Sequence, residues 1–217
     1  MMKKILIFTQ YDPFFINPIL NRITKRYKNF RIEVVFSKSS LNRKIKTAII
    51  LILFSKLYNF LKLFFKREKL SNKITVKKNI QIKNYFLVLC IAHQKKILVN
   101  NRVKIYNFHL GNIESQRGSF IFFYKFKYFW SYINLTCHLM SNILDAGNIV
   151  GQKKIYSKNL DAIEILNLYK KNIFFIYQFI DSFIKKKKIK KIKIEKKLKT
   201  HKQPTFIEIF KVYFSLK

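Results

Sequence analysis

Acidic residues are scarce: ten Asp and Glu stand against 45 Lys and Arg in 217 residues, a formal charge of +35. Glycine occurs four times, proline three times and cysteine twice. So little Gly and Pro excludes collagen-like and linker-rich chains. Cys90 and Cys137 cannot build a disulfide framework and are too few for a structural zinc site. The apolar start, Ile5 to Phe8, is too short for a secretory signal and lacks a small-residue cleavage site, so the chain reads as cytoplasmic. What is plentiful is apolar: 49% of the residues are hydrophobic. That suffices for the core of a medium α/β domain and excludes a wholly disordered polyampholyte.

The positive charge is almost entirely lysine. Arginine occurs only at positions 22, 26, 31, 43, 67, 102 and 117. Ile, Asn, Phe and Tyr are abundant as well, and all of these are residues of AT-rich codons. Compositional drift therefore accounts for much of the surface, whereas nucleic-acid readers lean on Arg for bidentate contacts. A field this positive still attracts polyanions without sequence preference at low salt.

Lys3 to Gln10 is a continuous apolar run of the kind found in buried parallel strands. Asp12-Pro13 breaks it, and Phe14 to Tyr27 carries a helical stripe of Ile16, Ile19, Leu20 and Ile23. Arg31 to Ser37 is a second strand, so residues 3–37 form a β-α-β unit with parallel strands. Residues 47–65 are the most hydrophobic stretch, interrupted by Lys56 and Lys62. Two readings fit them: a helix packed on the core, or a basic amphipathic helix making peripheral membrane contact. Further strands are expected at Phe86–Ile91, Lys104–His109, Leu135–Met140 and Ile149–Ile155. Helices are expected in the aromatic-rich 120–133 segment, at Leu160–Lys170 and at Phe206–Phe214. The Lys-rich 185–199 segment reads as a solvated strand or tail. The boundaries that follow are a catalytic domain over 1–180 and a Lys-rich extension with a short helix over 181–217.

No Walker A loop, GxGxxG, HExxH, CxxC or GxSxG is present. Instead, Asn107-Phe108-His109 ends a strand, Gln116-Arg117-Gly118 follows in a loop, and Thr136-Cys137-His138 lies on a strand. Asp145, one of four aspartates, sits in the next turn within Asp145-Ala146-Gly147-Asn148-Ile149, with Gln152 soon after. In an open α/β sheet, ligands bind at the carboxyl ends of strands.

This order and spacing resembles the 10-formyltetrahydrofolate-dependent formyltransferases. The resemblance spans about residues 3–170 and is sharpest over 107–155. It implies an α/β, Rossmann-like formyltransferase fold with a mostly parallel central sheet flanked by helices. It implies Asn107, His109 and Asp145 as catalytic residues, 10-formyltetrahydrofolate as co-substrate, no metal, and a small-molecule amine as acceptor. A primary amine attacks the formyl carbon, and the oxyanion that develops needs placed donors. Asn107 and His109 are suited to donate, while Asp145 holds His109 and takes up the amine proton through water. The alternative reading of the residue types is that Asn107 caps a turn and His109 is a satisfied buried histidine. Folate contacts in the family are largely made by backbone, which carries over to Cys90, Ile91, Ala92, His93 and Gln94, and to Ser141, Asn142, Ile143 and Leu144. Arg117 either contacts the acceptor or pins its loop. His138 either packs under the catalytic loop or is a core residue. His93 and His201 read as surface residues.

Three features depart from the family pattern. Leu110 to Ser115 replaces a Ser-Leu-Leu-Pro segment, Asn134-Leu135 replaces a small residue, and Lys125 and Lys127 occupy a helix that is otherwise apolar. As to the acceptor, the loop Thr9 to Phe14 has no Gly and carries an acid, which suits a phosphate cradle poorly. Phe8 to Phe14 and Pro204-Thr205 resemble formyltransferases of amino-sugar modification. The 47 residues after position 170 are too few for the second domain of methionyl-tRNA formyltransferases. The expected acceptor is therefore the amine of a nucleotide-linked sugar. The alternatives are a methionyl-tRNA formyltransferase-like protein, or a degenerate, non-catalytic basic protein that binds nucleic acid or membrane.

Overall fold

The computed structural model describes residues 2–78, 80–93, 97, 103–141, 145, 147–187, 192 and 200–217. Seven strands form one sheet: β1 (Lys4–Gln10), β2 (Arg31–Ser37), β3 (Thr75–Val76), β4 (Leu87–Ile91), β5 (Ile105–Leu110), β6 (Tyr132–Leu139) and β7 (Ile149–Tyr156). Their order is β3-β2-β1-β4-β5-β6-β7. From β3 to β5 the pairs are parallel, and β6 and β7 are antiparallel. This is the mostly parallel α/β fold that the sequence implies.

The inner strands are apolar without alternation because both faces are covered. In β1, Ile5 and Ile7 enter the large core cluster, while Leu6 and Phe8 join a smaller one with Val88 and Cys90 on the opposite face. The edge strand β7 exposes Lys153 and Lys154, charges that discourage pairing with another chain.

The helices are α1 (Asn17–Arg26), α2 (Leu41–Phe54), α3 (Leu57–Phe64), α4 (Ile121–Lys127), α5 (Ala162–Leu166), α6 (Leu168–Lys171), α7 (Ile173–Ile184) and α8 (Phe206–Ser215). Asp12 starts the turn into α1: its Oδ1 accepts the backbone N–H groups of Phe14 and Phe15, each at 2.8 Å.

Several elements differ from the sequence reading. The hydrophobic 47–65 stretch is two helices, not one. The break has a cause: Asp161 Oδ2 accepts the Lys56 backbone N–H at 3.0 Å and Asn59 Nδ2 at 2.7 Å. Helix α2 buries Ile50, Leu51 and Phe54, whereas α3 exposes Leu57, Tyr58 and Leu61. Among the described residues, no helix is long and apolar enough to cross a membrane. The 120–133 segment is helical only to Lys127, and Tyr132 already belongs to β6.

Helix α7 was not assigned in the sequence reading, although its buried Ile173, Ile176, Tyr177 and Ile180 recur at helical spacing; the exposed Phe174 blurs that stripe. Its Phe179 packs on Tyr106 and Phe108 of β5. It spans position 180, where the sequence suggested a domain boundary. Helix α8 seats Ile209, fully buried, in the main core.

Candidate active site

Strand β5 ends with Asn107 and His109, and the antiparallel β6 brings His138 opposite Asn107. A register shift in the β6–β7 ladder falls between Cys137 and His138. Such irregularities re-aim side chains next to sites. Asp145 comes from the β6–β7 turn with φ of 47°, a left-handed conformation that Asp tolerates better than most residues. Gly147 is required two residues later, since a Cβ there would collide with the Leu139 carbonyl.

These elements bring the three residues together. Asn107 Nδ2 donates to Asp145 Oδ1 at 3.3 Å and lies 3.0 Å from His138 Nε2. His138 Nδ1 donates to the Leu139 carbonyl at 3.2 Å, and its Nε2 also lies 3.6 Å from Asp145 Oδ1. His109 Nδ1 lies 3.7 Å from Asp145 Oδ2, and its Nε2 lies 2.9 Å from the Gln116 carbonyl. Both ring nitrogens thus face acceptors. The Gly118 N–H donates to Asp145 Oδ2 at 3.2 Å.

Burial alone would push the Asp145 carboxyl up. His109, His138 and the Gly118 N–H outweigh it and hold the carboxyl down to about 2, so the site keeps a buried carboxylate at neutral pH.

Sequence reasoning cast the Asn107 amide and the His109 imidazole as ready donors. In the structure both are already engaged: Asn107 by Asp145 and His138, His109 by Asp145 and Gln116. The loop that closes on His109 is the one that departs from the family pattern. Gly111, at φ 138°, permits the approach, because a Cβ there would lie 2.8 Å from His109 Nε2. Gln116 staples the loop, with Oε1 accepting from Asn112 N at 3.0 Å and Nε2 donating to the Tyr132 carbonyl at 2.8 Å. Thr136 Oγ1 donates to the Gly111 carbonyl and takes a hydrogen bond from Gln152 Nε2. Thr136 and Gln152, read only as pattern, therefore brace this loop. Gln116 and Gly111 had no assigned role, and the one sequence signal was that glycine is rare.

Arg117 is buried, and its guanidinium donates to Thr200 Oγ1 at 3.2 Å. That places it as a pin between its loop and the 200–205 segment. His201 corrects the surface reading: it is half-buried, with its ring 4.4 Å from that of Tyr124 and stacked on it. Its backbone bonds Arg117 and Ser119. His93 is likewise half-buried, edge-on to Phe8 at 5.6 Å. Lys125 and Lys127 also have partners. Lys125 Nζ donates to the Lys158 and Leu160 carbonyls, and Lys127 pairs with Glu208 of α8.

A cavity of about 750 Å³ opens beside His109 at the carboxyl ends of the parallel strands, a size that suits a small-molecule ligand. Of the residues expected at folate, Ala92 and His93 line it. Ala92 turns the chain out of β4 at φ 51°. Cys90 and Ile91 do not line it: they are buried inside β4, with β1 and β5 paired on either side. Burial also pushes the Cys90 thiol up, so it is inert. Ser141 ends the described chain after β6. Gln94, Asn142, Ile143 and Leu144 lie outside the described residues, as does Ala146 of the Asp145 turn. Among the described residues no cluster of His, Cys, Asp and Glu could hold a metal ion.

No family model and no curated protein sequence matches the chain. Solved structures do. A 4-N formyltransferase from Francisella tularensis is similar over 98% of this chain and 86% of its own, with a TM-score of 0.61 and 18% identity. WlaRD, a sugar 3N-formyl transferase determined with dTDP and 5-N-formyl-THF, is similar over 89% of this chain and 66% of its own, with a TM-score of 0.56 and 17% identity. PseJ from Anoxybacillus kamchatkensis is a formyltransferase determined with UDP-4,6-dideoxy-4-formamido-L-AltNAc and tetrahydrofolate. It is similar over 91% of this chain and 85% of its own, with a TM-score of 0.54 and 15% identity. The chain therefore has the fold of the sugar N-formyltransferases.

Proposed function

We propose that the protein is an enzyme that moves a formyl group from 10-formyltetrahydrofolate to a primary amine, carried on a nucleotide-linked amino sugar. One observation carries the reading: Asn107, His109 and Asp145 converge at the end of β5, beside a ligand-sized cavity. The fold is one whose structural neighbours include formyltransferases determined with a folate and a nucleotide or nucleotide sugar.

The folate supplies the formyl carbon on N10. The amine nitrogen attacks it, and negative charge develops on the formyl oxygen. His109 Nε2–H exchanges the Gln116 carbonyl for this oxyanion, and Asn107 turns one N–H from His138 towards it. Asp145 keeps its hold on His109 and accepts the amine proton through water. The C–N10 bond then breaks, N10 takes the proton that Asp145 gives back through the same water, and the products are a formamide and tetrahydrofolate. In this reading the pterin lies against Ala92 and His93, which line the cavity at the mouth of β4.

The test is a side-by-side assay of 10-formyltetrahydrofolate with a panel of amino-sugar nucleotides and with methionyl-tRNA. Formyl transfer to a sugar amine is the expected result. Faster formylation of methionyl-tRNA than of every sugar would overturn the acceptor. Transfer to no acceptor would favour a degenerate protein.

A further inference from the structure

The cavity beside His109 has a second end of different chemistry. Lys38, Arg43 and Lys44, from the junction of β2 and α2, line it there. The two lysines are exposed at the mouth, while Arg43 is half-buried. Its guanidinium lies 4.8 Å from the centre of the Phe120 ring, and burial pulls its pKa down.

Among the described residues, none of these three cations has a carboxylate within ion-pair distance. Asp12 also lines the cavity, but its Oδ1 is committed to the Phe14 and Phe15 N–H groups. Among the other described arginines, Arg26 pairs with Asp181, Arg31 with Glu33, and Arg117 bonds Thr200, while Arg67 is exposed to water. In a chain with seven arginines, a half-buried one left without a counter-ion inside the candidate site requires an explanation. A desolvated cation is costly unless an anion joins it. An aromatic face steadies the guanidinium, and its planar fork matches phosphate oxygens two at a time.

We propose that Arg43, with Lys38 and Lys44, forms the subsite for the phosphates of the acceptor. This rests on the functional reading above and deepens it. A phosphate group here and a pterin against Ala92 and His93 would not compete, because β1 separates β2 from β4 in the sheet. Tyr11 and Phe36, edge-to-face at 5.5 Å, also line the cavity and offer an apolar wall for a planar base.

Calorimetric titration of dTDP at 0.15 M salt tests the subsite without turnover. The proteins are wild type, Arg43→Ala, Arg43→Lys and, as a charge control on the far sheet edge, Lys153→Ala. Tetrahydrofolate is titrated in parallel, and circular dichroism checks folding. We expect Arg43→Ala to weaken dTDP binding by about tenfold or more, on the scale of hydrogen bonds to charged groups. Arg43→Lys should fall between, Lys153→Ala should match wild type, and tetrahydrofolate affinity should not change.

The proposal fails if wild type does not bind dTDP, or if Arg43→Ala binds it as wild type does. It fails too if Lys153→Ala is as damaging, which would mean diffuse attraction, or if tetrahydrofolate binding suffers instead, which would place folate carboxylates at these cations. Loss of dTDP binding on Arg43→Ala in a protein that formylates no amine would sink the formyl-transfer reading and leave the subsite. Formyl transfer with unaltered dTDP binding and acceptor KM in Arg43→Ala would do the reverse.

Discussion

At one end of the cavity each polar group of the Asp145 cluster answers another; at the other end Arg43 answers only an aromatic ring. A related contrast holds between two acids, half-buried Asp12 on the cavity wall and buried Asp145 beside His109. Burial raises the Asp12 carboxyl, and its two backbone N–H partners do not offset this. The Asp145 carboxyl is held down to about 2 because His109, His138 and Gly118 more than compensate for burial. The chemical groups are thus held by one another in the folded chain, and the proposed reaction has His109 and Asn107 each release one such partner for the oxyanion. The binding cations are left for the ligand to neutralise.

Breaking the oriented end should have the largest effect. His109→Ala removes a donor and the partner of Asp145. Asp145→Asn keeps the shape and removes the charge. Each should lower formyl-transfer turnover by about 10²-fold or more, followed by absorbance of the folate, with tetrahydrofolate affinity little changed. Wild-type rates in both variants would refute the roles assigned here.

The oriented end also depends on chain far from it in sequence. His201 donates its N–H to the Arg117 carbonyl at 2.8 Å and accepts from Ser119 N at 3.1 Å. Both flank Gly118, which donates to Asp145. Helix α8 anchors this segment through Ile209. Ile209→Ala should therefore cost about 3 kcal/mol by thermal or urea denaturation, the scale of a fully buried Ile truncated in a close-packed core. A loss under about 1 kcal/mol would mean that α8 is not part of the core.

Six of the seven strands, α1 and the motif positions were legible because each has a local signal: continuous apolar runs, a stripe of period 3.6, and rare polar residues at strand ends; the two-residue β3 has none. The stripe of helix α7 is blurred by the exposed Phe174, and the break at Ser55-Lys56 is imposed by Asp161, which is distant in sequence. At the site, Asn107, His109 and Asp145 could be named from their pattern. That their hydrogens are already engaged could not, because this depends on how the 110–116 loop folds back, with Gln116 bonding Asn112 and Tyr132. The cationic end went unread because Arg43 stands among so many lysines that charge alone does not single it out. Its burial against Phe120 does.

The two acids predict opposite responses to pH. The folded Asp145 carboxyl lies below the ordinary 3.8, so its contribution is present above about pH 4 and is lost as pH falls towards 2. The size is about 2 kcal/mol. Urea titrations between pH 5 and 2 should show this loss in wild type and a shallower one in Asp145→Asn. Asp12, raised in the folded state, acts in the other sense: folding favours its protonated form, so it adds stability as the solution is acidified. Asp12→Asn should therefore steepen the acid loss, and equal slopes in the two variants would remove the distinction between the two ends.

The smallest effect is expected where the segment carrying His201 meets Arg117. Thr200→Val keeps the shape of the side chain and removes the hydroxyl that accepts from the buried guanidinium at 3.2 Å. The backbone bonds of His201 to Arg117 and Ser119 remain, so the loop keeps its path and Asp145 keeps the Gly118 N–H. The expected cost is about 1 kcal/mol, the net value of one hydrogen bond, read as a fall of a few degrees in Tm. Turnover should stay within a factor of two, because no group facing the formyl carbon moves. A large fall in turnover at unchanged Tm would instead place the Arg117 guanidinium at the acceptor, and Arg117→Lys would then raise the acceptor KM while leaving tetrahydrofolate affinity as it was.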